Sequence, residues 1–442
     1  MSVILRFALP IYIGNIFQQL YNWVDTMIVG RFVGQGALAA VGSTGTIMFL
    51  IWGFSSGLTT GFTVLTSQSY GAGDLKRVRH SVANGILLSV IVIILTTVLS
   101  LSSAGWLLRI MNTPADILED AYVYITTICW GIVASVLYNL FSACLRSVGN
   151  SRVPLYFLVL SAGTNIALDL FFIIGCHMGV FGAALATDLS QAVSAVGCAI
   201  YIVKCVPALR PARTDWHLEH ADTMHQLRMG IPMSMQFAIT ASGTMVMQAS
   251  INLFGSVAVA SFTAASKLVN LLTQGMPAFG QTMASYCGQN YGKGDIPRLM
   301  SGVRQINVIN AVYSVISLVL TWALLPVTAG IFFSGDAALG EILSWARPYA
   351  YVSMTCYIPL GMIFIYRNAM QGCGYGMLPM LGGVVELIAR FVVAIISIRM
   401  GSYLLAVSGD AVAWLAAGIY TFFAYHYIIR RISRKAGQEV RA

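Results

Sequence analysis

The chain has little charge. Of 442 residues, 25 are Lys or Arg and 16 are Asp or Glu, so 9% are charged, against about 25% in soluble domains. That is too little polar surface to cover a water-soluble particle of this size, and most of the molecule must have lipid as its solvent. The eight cysteines (129, 144, 176, 198, 205, 287, 356 and 373) contain no CxxC spacing and sit mostly in apolar stretches. This excludes a disulfide framework, and no metal site is expected. No GxxxxGK[ST] string follows a strand, which excludes a phosphate loop. No concentrated His, Asp or Ser constellation lies near one end of the apolar segments, as a membrane enzyme would require. A secretory signal is not expected. The apolar run from Phe7 through Gly30 is too long for a signal core and lacks a cleavage signature.

What the chain has in abundance is long apolar runs. It is 57% hydrophobic, with a mean hydropathy of +0.77. Twelve stretches, at 7–30, 37–66, 82–108, 120–145, 153–175, 179–204, 229–254, 258–287, 304–330, 341–369, 378–399 and 404–430, each reach the roughly 20 residues that cross a bilayer as a helix. A β-barrel would show alternating segments of about ten residues instead. Backbone polar groups in lipid must be satisfied within the segment, so helices remain. The expected fold is an all-α integral membrane protein of twelve helices.

The string Gln-x-Tyr-Gly-x-Gly-Asp occurs twice, at Gln68–Asp74 and Gln289–Asp295, 221 residues apart. Leu9-Pro10 and Ile231-Pro232 lie 222 apart, and Gly149–Pro154 and Gly374–Pro379 lie 225 apart. The chain is therefore two related halves. In a hydrophobic chain such duplication points to a transporter. Each half has six crossings, an even number, so both start from the same side and the repeat is parallel.

Basic residues give the orientation. Even-numbered connections carry Lys76, Arg77, Arg79, Arg146, Arg152, Lys204, Arg210, Arg213, Arg228, Lys293, Arg298, Arg304 and Arg367. The termini add Arg6, Arg430, Arg431, Arg434, Lys435 and Arg441. The positive-inside rule then places both termini in the cytoplasm. It also accounts for the net charge of +9 without a nucleic-acid partner. The expected organisation is a six-helix lobe over 1–204, a cytoplasmic linker over 205–228, a second lobe over 229–430 and a basic tail over 431–442. The linker contains His217-x-x-His220, but no carboxylate or cysteine spacing completes a metal site, and a solvated connection explains its composition.

Acids within the membrane are the candidate functional residues. Asp25 lies in the first helix and Asp169 in the fifth. A charged aspartate at a helix centre costs about 2.5–3.5 kcal/mol on insertion scales, so such residues face a cavity or a partner. A carboxyl in that setting can carry a proton, which a proton-coupled carrier requires. Tyr21 and Asp25 are spaced i,i+4 on one helix face, and Asn165 and Asp169 repeat that spacing on another. Thr187 and Asp188 on the sixth helix can join them. Near the corresponding positions the second half has Val246 or Met247, and Ala394. It carries instead Glu386 and Arg390, again i,i+4, which read as a buried ion pair bracing the lobe.

The duplicated motif has its own reading. Gly71, Gly73, Gly292 and Gly294 can end a helix with positive φ, and Asp74 or Asp295 can cap the next one. Gln68, Tyr70, Gln289 and Tyr291 complete the string. It reads as a structural latch and not as a substrate site.

Together these residues resemble the multidrug and toxic compound extrusion (MATE) transporters over nearly the whole chain. The resemblance rests on Leu9-Pro10, the run Tyr21–Phe32, Ala39–Gly42, both QxYGxGD strings, Thr164–Asp169 and Ala183–Thr187. It implies two six-helix lobes forming a V, alternating access, and cation-driven export of amphipathic, often cationic compounds by a monomer in the bacterial cytoplasmic membrane. It also implies that Tyr21, Asp25, Asn165, Asp169 and Thr187 form a network that rearranges on protonation. NorM-type members carry acids in helices seven and ten, whereas residues 230–248 and 357–371 here hold no Asp or Glu. The DinF-like branch, with H+ favoured over Na+ and no other cofactor, fits better. The wider superfamily also contains flippases of lipid-linked precursors. Those should show a cationic cavity for a pyrophosphate headgroup, and the candidate inward cations here are Lys267, Arg347 and Arg390.

Overall fold

The computed structural model describes residues 1–111, 113–332, 336–435 and 437. Among these the chain is helical with no strand. The α-helices are α1 Ser2–Phe32, α2 Gln35–Gly71, α3 Leu75–Ile110, α4 Leu118–Trp130, α5 Ile132–Ser147, α6 Arg152–Asp169, α7 Gly179–Cys205, α8 His220–Asn252, α9 Ser256–Leu272, α10 Gly275–Lys293, α11 Ile296–Phe332, α12 Asp336–Thr355, α13 Tyr357–Gly372, α14 Met377–Met400, α15 Tyr403–Val407 and α16 Gly409–Lys435. Arg441 of the expected basic tail lies outside the described residues.

The helices match twelve crossings, but several expected spans are not single rods. The fourth is α4 and α5, bent by 46°, and the tenth is α12 and α13, bent by 50°. The breaks fall at Gly131 and Cys356, 225 residues apart, the same spacing as the nearby repeat strings. The bend therefore belongs to the duplicated unit. Hydropathy cannot see it, because the side chains on both sides are apolar. The eighth crossing, α9 and α10, is interrupted around Thr273 and Gln274, where its counterpart α2 runs on unbroken. Long helices also overrun their expected ends: α2 has 37 residues and α3 has 36.

The chain folds as two compact units, residues 13–234 and residues 1–12 with 235–442. These divisions differ from the expected lobe boundaries in two places. The first twelve residues group with the second half, where Ile4 and Ala8 join a core with Phe279, Met283, Ile365 and Ile428. The linker and the start of α8 group with the first half. His220 already begins α8, so the second part of the expected linker is helix. Short 3-10 turns at Pro207–Leu209 and Arg213–Asp215 precede it.

The reason for the second displacement is local chemistry. Gln226 Nε2 donates to the Ser81 and Phe62 carbonyls at 2.8 and 3.0 Å, and Asn84 Nδ2 donates to Gln226 Oε1 at 2.7 Å. Beyond this seam, Gly57 and Gly61 on α2 face Gly230 and Ser234 on α8. A Cβ on Gly57 would stand 2.6 Å from the Ser234 Cα, and one on Gly61 would strike the Gly230 backbone. Small residues four apart on both helices let the backbones touch, which is how helices associate where lipid removes the hydrophobic drive.

The duplicated string forms the same corner twice. Gly73 and Gly294 have φ of 78° and 77°, the left-handed conformation that favours glycine. The Asp74 and Asp295 N–H groups then donate to the Ser69 and Asn290 carbonyls at 3.0 and 2.9 Å. Their carboxylates accept from the Arg77 and Arg298 backbone N–H at 3.0 and 3.1 Å, capping α3 and α11. Gly71 closes α2, and Gly292 lies in the last turn of α10. Tyr70 is exposed and Tyr291 half-buried. Gln68 and Gln289 both have partners.

Candidate functional site

The five residues singled out in the first half come together within the unit 13–234. Asn165, Asp169 and Thr187 are buried, with exposures of 0, 0 and 4%, while Tyr21 and Asp25 on α1 are half-buried. The Asn165 amide bridges two helices. Its Nδ2 donates to Asp169 Oδ2 at 2.9 Å and its Oδ1 accepts from the Thr187 backbone N–H at 3.3 Å. With the amide turned over, Nδ2 would reach Thr187 Oγ1 only at 3.5 Å and leave Asp169 unserved, so the first orientation is the satisfied one. Thr187 Oγ1 donates to the Ala183 carbonyl at 3.1 Å, and the Tyr21 side chain lies beside it.

The Asp25 and Asp169 carboxyls lie close enough to act on one another. Asp25 Oδ1 and Asp169 Oδ1 are both buried without a hydrogen-bond partner. Ionised carboxylates only accept, so two of them cannot bond to one another. A single proton makes one a donor and the other its acceptor. Two carboxyls placed beside each other can hold one proton between them.

Local backbone serves this pair. Asp169 is the last α-helical residue of its span, and the chain turns into a π-helix at Leu170–Gly175. Such π turns often mark functional sites. Asp188, the neighbour of Thr187, packs its carboxylate against Gly131 at the α4–α5 break, where a side chain on Gly131 would have no space. Tyr124 on α4 is buried next to the group.

The second unit holds a different polar centre. Arg390 Nη1 meets Glu386 Oε2 at 3.4 Å, the expected i,i+4 pair. The pair is not self-contained. Arg390 Nε donates to Asp410 Oδ1 at 3.0 Å, and Arg367 Nη1 meets Glu386 Oε1 at 3.5 Å. The Tyr349 hydroxyl donates to Asp410 Oδ2 at 3.3 Å. Two arginines and two acids thus balance one another on α13, α14 and α16. Arg367, expected in a basic connection, instead lies inside α13 with its side chain 8% exposed and its charge held by Glu386. Counting basic residues near a span end cannot separate a loop cation from a buried one. Asp410 escaped notice because it opens the last helix, where an acid also reads as a cap.

A helical, multi-pass fold built from two duplicated halves is the architecture of a membrane transporter. The MatE family model matches residues 10–171 and 232–396, and the chain belongs to that family. It is similar to the probable multidrug resistance protein YpnP of Bacillus subtilis, with 29% identity over 301 residues, 66% of this chain and 65% of that protein. It is also similar to the DNA damage-inducible protein F of Escherichia coli, with 25% identity over 368 residues, 80% of this chain and 78% of that one. Among solved structures, an outward-facing multidrug resistance MATE family transporter of the MOP superfamily superposes with a TM-score of 0.90. It shares 24% identity and covers 97% of this chain and 96% of its own.

Proposed function

We propose that this protein exports amphipathic, cationic small molecules across the bacterial cytoplasmic membrane by antiport, with H+ as the coupling ion. The observation that carries this reading is the Asp25–Asp169 pair with its Asn165, Thr187 and Tyr21 partners. A pair that can hold or release one proton changes the charge inside its lobe by one unit, and a cationic substrate feels that change directly. The names of relatives such as the probable multidrug resistance protein YpnP support multidrug export. The lack of acids in 230–248 and 357–371 supports the DinF-like branch and proton over sodium coupling. In this reading the protein works as a monomer by alternating access, with both termini in the cytoplasm, as the distribution of basic residues supports.

A flippase of lipid-linked precursors needs positive charge free to meet a pyrophosphate. Arg367 and Arg390 do not offer it, because Glu386 and Asp410 hold both. Everted vesicles test the proposal. A cationic dye is expected to be exported under a pH gradient alone. Export under a sodium gradient alone, with none under a pH gradient, would overturn the choice of ion.

A further inference from the structure

The linker turns and α3 build a second cluster that the transport reading does not use. His80 projects from α3, while His217 and Glu219 come from the turn before α8. One ligand atom from each of the three lies within 4.8 Å of the others, and the two imidazole rings are 4.7 Å apart. The sequence offered His217 and His220 as a pair. The fold replaces His220 by a histidine 137 positions away, which no local spacing reveals.

The hydrogen bonds set both histidines for the same task. His80 Nδ1 lies 3.0 Å from Asp222 Oδ2. An ionised carboxylate only accepts, so Nδ1 carries the hydrogen and the lone pair is on Nε2. That Nε2 is buried with no partner, on a side chain 9% exposed. His217 Nδ1 lies 3.1 Å from the Thr214 carbonyl, which leaves its Nε2 free for the same reason. A carboxylate or carbonyl behind each ring is the usual support of a metal-bound histidine. Asp222 is itself held by Arg77 at 2.9 Å, and Arg79 approaches Asp215 at 3.8 Å. These ion pairs leave Glu219 as the surplus negative charge. It sits 3.8 Å from His80 on the Nδ1 side and is 57% exposed, so its carboxylate must turn toward Nε2 to share an ion with His80.

We propose that His80, His217 and Glu219 form a binding site for a first-row divalent cation, Zn2+ foremost, that pins the linker to α3. Two imidazoles and a carboxylate are a borderline-soft N/O set suited to Zn2+, with a fourth position for water. Zn–N distances near 2.0–2.1 Å require ligand atoms roughly 3.3 Å apart. The exposed His217 and Glu219 supply the closing movement, while Asp222 keeps His80 in place.

The test is Zn2+ binding to the full-length protein in detergent, after chelation and desalting, by calorimetry and metal analysis. The expected result is one Zn2+ per chain. His217→Ala and Glu219→Gln, both at exposed positions, should weaken binding by roughly tenfold or more, and His80→Ala should do the same with the melting profile as a folding control. Asp222→Asn should weaken it by about 10–100-fold, the usual effect of a supporting carboxylate. His220→Ala should bind as wild type. A wild-type protein that retains no Zn2+ would overturn the assignment. So would His217→Ala and Glu219→Gln variants that bind as wild type, or a His220→Ala variant that abolishes binding.

Discussion

Asp25→Asn is expected to bind a cationic substrate and yet fail to export it under a pH gradient. The amide matches the protonated carboxyl in shape and charge. It can donate to Asp169, as a protonated Asp25 would, but it cannot release the proton. The pair is then frozen in one of its two states, and the α1 face that carries Tyr21 and Asp25 loses the signal to repack against Asp169 on α6 and Thr187 on α7. Vesicle export should fall to the level of empty-vector membranes while substrate binding persists. Asp169→Asn should fail in the same direction. It also disturbs the Asn165 amide, whose Nδ2 donates to Asp169 Oδ2, so some loss of stability should accompany it. Asp25→Asn export at the wild-type rate would make Asp25 a structural acceptor only.

The second large effect is expected in the buried network of the other unit. Arg390→Met leaves Asp410 with only the Tyr349 hydroxyl, and Glu386 with Arg367 alone. Breaking a buried ion pair on one side costs about 3–5 kcal/mol, which should appear as a marked drop in thermal stability in detergent. Which double substitution rescues the loss is decided by the wiring. Removing Glu386 and Arg390 together, the natural choice from the i,i+4 spacing, strands both Arg367 and Asp410 and should be no better than the single change. Arg390→Met with Asp410→Asn keeps the Arg367–Glu386 pair and leaves Tyr349 an acceptor. It should recover much of the stability and keep transport. If the Glu386 and Arg390 double removal were the stable one, the four-membered network would be wrong.

These residues also show what a sequence reveals and what it hides. The twelve crossings were legible because lipid demands long apolar runs, and the halves because the QxYGxGD string survives in both. The five residues of the carboxyl group were legible as intramembrane polar groups at helical spacing, and the structure gathers them. The breaks at Gly131 and Cys356 were not, because a bend inside an apolar run changes no composition. Arg367 was misplaced because hydropathy fixes a span end only to within a turn or so. The grouping of residues 1–12 with the second half was invisible for a similar reason: Ile4 and Ala8 look the same whichever core they join. His80 and Glu219 were missed because the contact between them is made by tertiary folding.

The central claim is that Asp25 and Asp169 share a proton whose release accompanies substrate binding. Two interacting carboxyls titrate as a pair, so the direct measurement is proton release from purified protein. A cationic substrate is added to a weakly buffered sample near neutral pH, with a pH-sensitive dye as reporter. Wild type should release a proton on binding, and Asp25→Asn should bind the same substrate and release none. Equal release from both proteins would contradict the account.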